Sequence, residues 1–251
     1  MEQRTIFITG VSGYLGSCLC RELDRLEWRP KIYGVDVRRP LNKFDKLEFR
    51  AMDINSPDLI EWARETRPDI FIHLAFIVDP IPDEELMHRI NVGGTQNALA
   101  AAAKSGAEQV MVASSGTAYG AWPDNPVPLK ESDPIRPHPS FRYANDKSQV
   151  EKLAEEFTAA HPDTIVSVLR PCVVYGPRVN NYLSGLVSLP FLVVAPAGYD
   201  PPLQFIHEDD VVGAILAILQ KKARGPFNLA PPDTISLRQA LAMTGKRALF
   251  L

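Results

Sequence analysis

The sequence predicts an α/β fold built on a doubly wound parallel sheet. Three observations carry that expectation. Apolar strand-like runs alternate with segments of helical spacing along the whole chain. A glycine turn, Gly10-Val11-Ser12-Gly13-Tyr14-Leu15-Gly16, joins the first strand to the first helix. The run Asp69-Ile70-Phe71-Ile72-His73-Leu74-Ala75 is almost unbroken in its apolar character, as a strand covered on both faces must be.

The elements follow in order. Thr5-Ile6-Phe7-Ile8 reads as the first strand, and Leu15, Leu19, Leu23 and Leu26 have the spacing of one helix face. A helix start offers unpaired N–H groups and the positive end of a dipole, and a diphosphate fills both. Glycines let the backbone approach it without a Cβ in the way. The spacing, G-x-x-G-x-x-G, makes the turn one residue longer than the common G-x-G-x-x-G. Gly10, Gly13, Tyr14, Leu15 and Gly16 are therefore candidate dinucleotide contacts. The second strand ends at Tyr33-Gly34-Val35-Asp36, twenty residues beyond Gly16. A carboxylate there accepts both ribose hydroxyls of an adenosine and repels a 2′-phosphate, favouring NAD over NADP. Arg38 and Arg39 stand close enough to soften that preference.

The third strand, Leu47 to Asp53, puts Asp53-Ile54 where an adenine would lie. A helix is expected around Leu59–Ala63, a long one from Asp83 to Lys104, and a fifth strand from Glu108 to Ser115. Six prolines in residues 123–139 mark a surface loop, after which Ser140 or a neighbour caps a helix to Ala160. The sixth strand is Thr164–Arg170. Strands at Leu203–Ile206 and Pro226–Leu229 then alternate with helices from Asp209 to Lys222 and from Ser236. Residues 1–172 are expected to form the dinucleotide-binding domain, and 173–251 mainly a substrate lobe interleaved with returning sheet elements.

Composition narrows the function. With 251 residues, 45% hydrophobic and 23% charged, the chain suits one large globular α/β domain with a small lobe. A net charge of −3 without a long basic tract argues against a nucleic-acid partner. No run approaches membrane-span length, so no membrane partner is expected. Cys18, Cys20 and Cys172 have no metal or disulfide-framework spacing, which points to a reducing, cytoplasmic setting. His207-Glu208-Asp209-Asp210 is expected to cap a helix through Asp209 or Asp210 rather than bind metal. No metal site is expected, and His73 is expected to fill a strand end.

Tyr143-Ala144-Asn145-Asp146-Lys147 puts a phenol and an ammonium on one helix face. A lysine beside a phenol favours the phenolate, which suits proton exchange with an alcohol near neutral pH. Ser115 ends the fifth strand at the carboxyl edge, where ligands of such sheets bind, and its hydroxyl suits a substrate oxygen. Ser114 is its rival.

These residues resemble the extended short-chain dehydrogenases/reductases, the NAD-dependent epimerase/dehydratase group, whose sheet is Rossmann-type. The matching pieces are Thr9 to Gly16, Asp36, Asp53-Ile54, His73-Leu74-Ala75, Asn91-Val92-Gly93-Gly94-Thr95, Ser114 to Gly120, Tyr143 to Lys147, Leu169 to Pro177 and Phe205 to Val211. They run in family order over nearly the whole chain. The resemblance implies that Tyr143 is the acid/base, that Lys147 binds the nicotinamide ribose and tunes Tyr143, and that Ser115 orients the substrate oxygen. It further implies NAD contacts at Leu74, Ala75 and Pro171, and Asn91 holding the helix beside the cofactor. It also implies a homodimer through a four-helix bundle of Asp83–Lys104 and Phe141–Ala160.

Departures from the family pattern shape the expected reaction. Val173 stands where nucleotide-sugar enzymes usually carry Asn, and Leu203 where they often carry an arginine. Gly116-Thr117 replaces the acidic pair of sugar dehydratases. The chain also ends on an apolar stretch short of the usual family length, so a truncated substrate lobe is expected. The expected activity is hydride transfer between NAD and a small-molecule secondary alcohol or ketone. The alternatives are a nucleotide-sugar 4-epimerase with tightly bound NAD, and a non-catalytic NAD(P)-sensing protein.

Overall fold

The computed structural model describes residues 4–27, 30–179, 192–195, 198, 200–243 and 247–250. Its centre is a parallel sheet of seven strands: β1 (Thr5–Thr9), β2 (Lys31–Asp36), β3 (Leu47–Ala51), β4 (Ile70–His73), β5 (Gln109–Ala113), β6 (Ile165–Pro171) and β11 (Gly225–Leu229). Their spatial order is β11-β6-β5-β4-β1-β2-β3. The order reverses between β1 and β4, and the expected doubly wound sheet is what forms. Ligands of such sheets bind outside the carboxyl ends of the strands at that reversal.

The pleat divides the core into two. Ile6 and Ile8 of β1 face one side, with Leu19 and Leu23 of α1 (Tyr14–Arg25) and Val211, Ile215 and Ile218 of α6 (Glu208–Lys221). Phe7 faces the other, stacked on Phe71 at 5.0 Å and edge-on to Trp62 at 5.0 Å. That side is covered by α2 (Asp58–Thr66), α4 (Gly94–Ser105) and α5 (Arg142–Ala160). Alternate residues of one strand thus fill separate cores, which explains why these strands read as continuous apolar runs.

The long helix expected from Asp83 is three pieces. Asp83 caps α3 (Glu84–His88) by accepting from the Leu86 N–H, a π segment covers Arg89–Gly93, and α4 follows. At the join, a Cβ on Gly94 would lie 2.6 Å from Ile54 Cγ2, so the glycine lets α4 close on the 53–54 turn. The α5 cap also differs from expectation: Phe141 precedes the helix without a capping side chain, and the Ser140 hydroxyl bonds His138 Nδ1 at 2.8 Å. Asn145 secures the entry instead, its amide reaching the carbonyls of His138, Pro139 and Phe141. Helix α6 begins one residue earlier than expected. His207 caps it, Nδ1 accepting from the Asp209 N–H at 3.2 Å, because Asp209 pairs with Arg178 and Glu208 turns inward.

The strand expected at 203–206 is split into β9 (Pro202–Leu203) and β10 (Phe205–His207). β10 pairs in parallel with β7 (Val173–Tyr175), and β9 antiparallel with β12 (Ile235–Ser236), which leads into helix α7 (Leu237–Met243). β8 (Leu192–Ala195) pairs in parallel with β13 (Arg247–Phe250). The expected pocket loop from Arg178 to Pro202 lies largely outside the described residues. Among the described residues no helix is long and apolar enough to cross a membrane.

Candidate active site

The turn between β1 and α1 is built by backbone geometry. Gly10 has φ +73°, and a Cβ on it would sit 2.5 Å from the Ala75 nitrogen. Glycine is thus required both by conformation and by the close passage of the chain after β4. The Gly10 N–H bonds Val35 O at 2.9 Å, and the Gly13 N–H bonds Gly10 O at 3.0 Å. Gly13 caps α1 without a side chain. The first N–H groups of the helix therefore remain free to meet an anion.

Asp36 ends β2 beside that turn. Its carboxylate accepts the Ser12 N–H at 3.1 Å and the Arg38 N–H at 3.2 Å, while the Ser12 hydroxyl donates to Arg38 O at 2.6 Å. Asp36 is thereby fixed at the rim, where an adenosine ribose would lie. Asp53 is exposed and accepts the Asn55 N–H at 2.8 Å, and Ile54 is buried against Gly94. Leu15 packs on the apolar core beside α1. The Tyr14 hydroxyl donates to Glu208, and its backbone N–H lies at the start of α1.

The carboxyl ends of β4, β5 and β6 carry the other half of the site. Leu74 bonds Thr9 O through its N–H at 3.1 Å, Ala75 lies under Gly10, and Pro171 closes β6. Ser115 follows β5, and its hydroxyl oxygen accepts from the Thr117 N–H at 3.2 Å and the Thr117 hydroxyl at 3.0 Å. Between the rival serines, Ser115 faces Tyr143. The Ser114 hydroxyl is buried without a hydrogen-bond partner among the described residues. Burial pushes the Tyr143 phenol above its ordinary value, and the Ser115 hydroxyl opposes that shift.

Lys147 is buried, and its ammonium donates to Ala113 O at 2.7 Å. It lies 5.8 Å from the centre of the Tyr143 ring. Loss of solvent lowers its pKa to about 7, against the opposing carboxylates of Glu151 and Asp146. The expected direct lowering of the phenol by this lysine does not govern the pair. Desolvation is the largest influence on each, raising the phenol and lowering the amine.

Asn91, on the π segment, is fully buried. Its oxygen accepts the Ile77 N–H at 2.7 Å, and its amide donates to Asp146 at 3.2 Å. It joins the chain after β4 to the helix of Tyr143 and Lys147, a supporting role. Asp146 itself is fully buried and paired with His88 at 2.7 Å and Arg142 at 3.3 Å. His73 lies between two threonines, Nδ1 2.7 Å from Thr9 Oγ1 and Nε2 2.9 Å from Thr95 Oγ1. Thr95 gives its own proton to Asn91 O at 2.6 Å, so His73 Nε2 must be the donor and Nδ1 the acceptor. Burial, then the nearby Lys147 charge, lowers the His73 pKa to about 3. It stays neutral and fills the strand end as expected.

Sequence reasoning missed three participants. Phe76 stands edge-on to Tyr143 at 5.6 Å, and Lys147 Nζ lies 3.4 Å above its ring centre. An aromatic residue directly after a strand at the ligand-binding edge was the available signal. Glu208, fully buried, receives the Tyr14 hydroxyl and pairs with Arg178 at 2.7 Å. Read as part of an acidic cap, it gave no sign of facing inward. A Cβ on Gly176 would reach within 2.5 Å of Glu208 Cδ, so that glycine makes the room.

The family model for the NAD dependent epimerase/dehydratase family matches residues 6–230. The chain belongs to that family. An uncharacterised protein of Mycobacterium tuberculosis is 26% identical over 250 residues, 97% of this chain and 66% of its own length. A UDP-glucose 4-epimerase of Vibrio cholerae is 28% identical over 193 residues, 74% of this chain and 56% of its own. The chain thus spans about two thirds or less of the length of these curated relatives. Among solved structures, MoeE5 in complex with UDP-glucose and NAD superposes with a TM-score of 0.82 at 27% identity, covering 98% of this chain and 85% of that one. The family's cofactor fits the residues present. The glycine turn leaves helix N–H groups free, a Cβ would fill the cradle at Gly10, and the Asp36 carboxylate is fixed beside the turn at the end of β2.

Proposed function

We propose that the chain binds NAD at the Gly10–Gly16 turn and Asp36 and carries out hydride transfer at a secondary alcohol or ketone carbon. The observation that carries this reading is the convergence of Ser115, Tyr143 and Lys147 at the carboxyl edge of β5, on the same edge as that turn. When bound, NAD supplies a nicotinamide ring that accepts a hydride, or gives one back when reduced. Ser115 holds the substrate oxygen. As the phenolate, which the adjacent Lys147 charge favours, Tyr143 Oη takes the hydroxyl proton while the carbon loses its hydrogen with the bonding electrons; as the phenol it gives that proton back in the reverse direction. Lys147, held by Ala113 O, keeps an N–H group for the ribose and its charge beside the phenol. The buried setting strengthens each of these interactions.

A second reading is 4-epimerisation of a nucleotide sugar, favoured by the likeness to MoeE5 with UDP-glucose and to the Vibrio cholerae enzyme. Val173 and Leu203, both half-buried and apolar, weigh against polar contacts to such a substrate. The intact Ser115, Tyr143 and Lys147 set weighs against a cofactor sensor without turnover. On this reading residues 1–172 hold the cofactor and the small sheets after Cys172 belong to the substrate lobe, with α3–α4 and α5 offering the helices of a homodimer. Incubation with NAD and a panel of nucleotide sugars, free sugars, steroids and simple ketones tests it. Reduced cofactor accumulating in solution supports dehydrogenation, and sugar inversion without release supports epimerisation. Neither with any member, alongside retained NAD binding, supports the sensor.

A further inference from the structure

The geometry points to Phe76 as the positioning residue of Lys147, its ring face holding the ammonium in place and in its charged form. This inference rests on the proposed NAD site, because it concerns the lysine that meets the nicotinamide ribose there. Lys147 Nζ has three N–H donors and is 2% exposed. One donor goes to Ala113 O at 2.7 Å. A second has the face of Phe76, whose centre is 3.4 Å from the nitrogen. The third is left for a ribose hydroxyl. An ammonium out of water with a single carbonyl partner would be costly, and the negative face of an aromatic ring offsets part of that cost. The same ring meets Tyr143 edge-on at 5.6 Å, interplanar angle 87°, so it spaces the amine from the phenol as well. Phe141 closes the other side of the phenol at 5.9 Å.

Other charges around Lys147 are fixed independently of Phe76. On α5, Glu151 is engaged by Arg170 through two hydrogen bonds of 2.9 Å, and Asp146 by His88 and Arg142. Tyr143, on the same helix, is held toward its neutral form by burial. From β4, His73 is neutral. β5 contributes only Ala113 O and the uncharged Ser114 hydroxyl. Replacing the ring therefore changes the amine's contact with its face and its spacing from the neutral phenol, and leaves the partners of the two carboxylates in place.

The test needs no substrate. NADH affinity is followed by fluorescence from weakly acid to alkaline pH. In the wild type it is flat at the acid end and weakens above a break, set by loss of the Lys147 proton in the free protein. Lys147→Met assigns the break by abolishing it. Phe76→Leu keeps the volume but removes the π face, so the break is expected to move toward acid by about one pH unit. Phe76→Trp enlarges that face and is expected to hold the break or move it toward alkali. The order Leu below Phe below or equal to Trp supports the role. A common break in all three overturns it, as does a Trp break below that of the wild type, which decides the matter even where the Leu variant does not fold. A wild-type protein that binds no NADH at any pH overturns the proposed function, and this role with it.

Discussion

The two ends of the proposed cofactor site are built by different means. At the adenosine end the backbone does the work. Gly10 takes a left-handed conformation, Gly13 leaves the helix N–H groups bare, and Asp36 is held by two main-chain N–H groups. At the nicotinamide end, side chains from separate strands and helices meet in a buried space. Ser115 comes from the end of β5, Tyr143 and Lys147 from α5, and Phe76 from the chain after β4. The first end is specified by one local turn and the end of the adjacent strand, the second only by the completed sheet. Substitutions should therefore separate chemistry from assembly.

Tyr143→Phe tests the nicotinamide end most severely. It removes one oxygen and leaves the ring packed between Phe76 and Phe141. Turnover is expected to fall about 10²- to 10⁴-fold, the usual worth of a positioned acid/base. NAD affinity, measured by calorimetry, should stay within about twofold, since the phenol contributes geometry and a proton rather than most of the binding surface. Retained turnover would remove the phenol from the mechanism.

Gly10→Ala is the matching test at the other end. The new Cβ imposes a strained left-handed conformation and collides with the Ala75 backbone, which cannot swing aside as a side chain can. Urea unfolding should show a loss of roughly 2–4 kcal/mol, with NAD binding lost in the fraction that remains folded. A variant of unchanged stability would mean that the turn does not pass Ala75 this closely.

His73, at the end of β4 between Thr9 and Thr95, gives a pH signature. Its ordinary pKa of 6.5 applies when the chain is unfolded, and about 3 when it is folded. The unfolded chain therefore binds the extra proton first, and stability is lost as pH falls from about 6.5 toward about 3, at up to about 1.4 kcal/mol per unit. Between about pH 7 and about pH 5 the wild type should lose about 2 kcal/mol more than His73→Gln, read from urea midpoints. Parallel losses in the two proteins would show that His73 is protonated in the fold.

What was legible in the sequence follows the same division. The glycine turn, Asp36 at a strand end and the doubly wound parallel sheet were readable because each depends on local spacing: a turn, a strand end, an apolar run. Tyr143 and Lys147 were readable as a pair because four residues span one helical turn. Phe76 and Glu208 were not, because nothing local tells an aromatic or acidic residue at a strand or helix end which way it points. The π segment at Arg89–Gly93 was hidden too, since its pattern is that of an ordinary helix until Asn91 must reach both Ile77 and Asp146. The caps failed for a related reason. Ser140 and Asp209 are good capping residues, but a local partner, His138, and a distant one, Arg178, had the stronger claim on them.

Asp36→Ala has the smallest expected effect and asks whether the adenosine end discriminates as well as binds. The carboxylate is placed to accept ribose hydroxyls and to repel a 2′-phosphate, while Arg38 and Arg39 follow directly. Its removal should weaken NAD about tenfold, the worth of one charge-assisted hydrogen-bonding group, and should strengthen NADP by less. The inequality has a cause in the structure. Asp36 also anchors the Ser12 and Arg38 N–H groups, so losing it loosens the turn for both cofactors and offsets part of the gain from lost repulsion. The ratio of the two dissociation constants cancels that shared loosening and isolates the electrostatic choice. If the ratio is unchanged, Asp36 serves only to pin the turn, and the preference for NAD must come from groups beyond the end of β2.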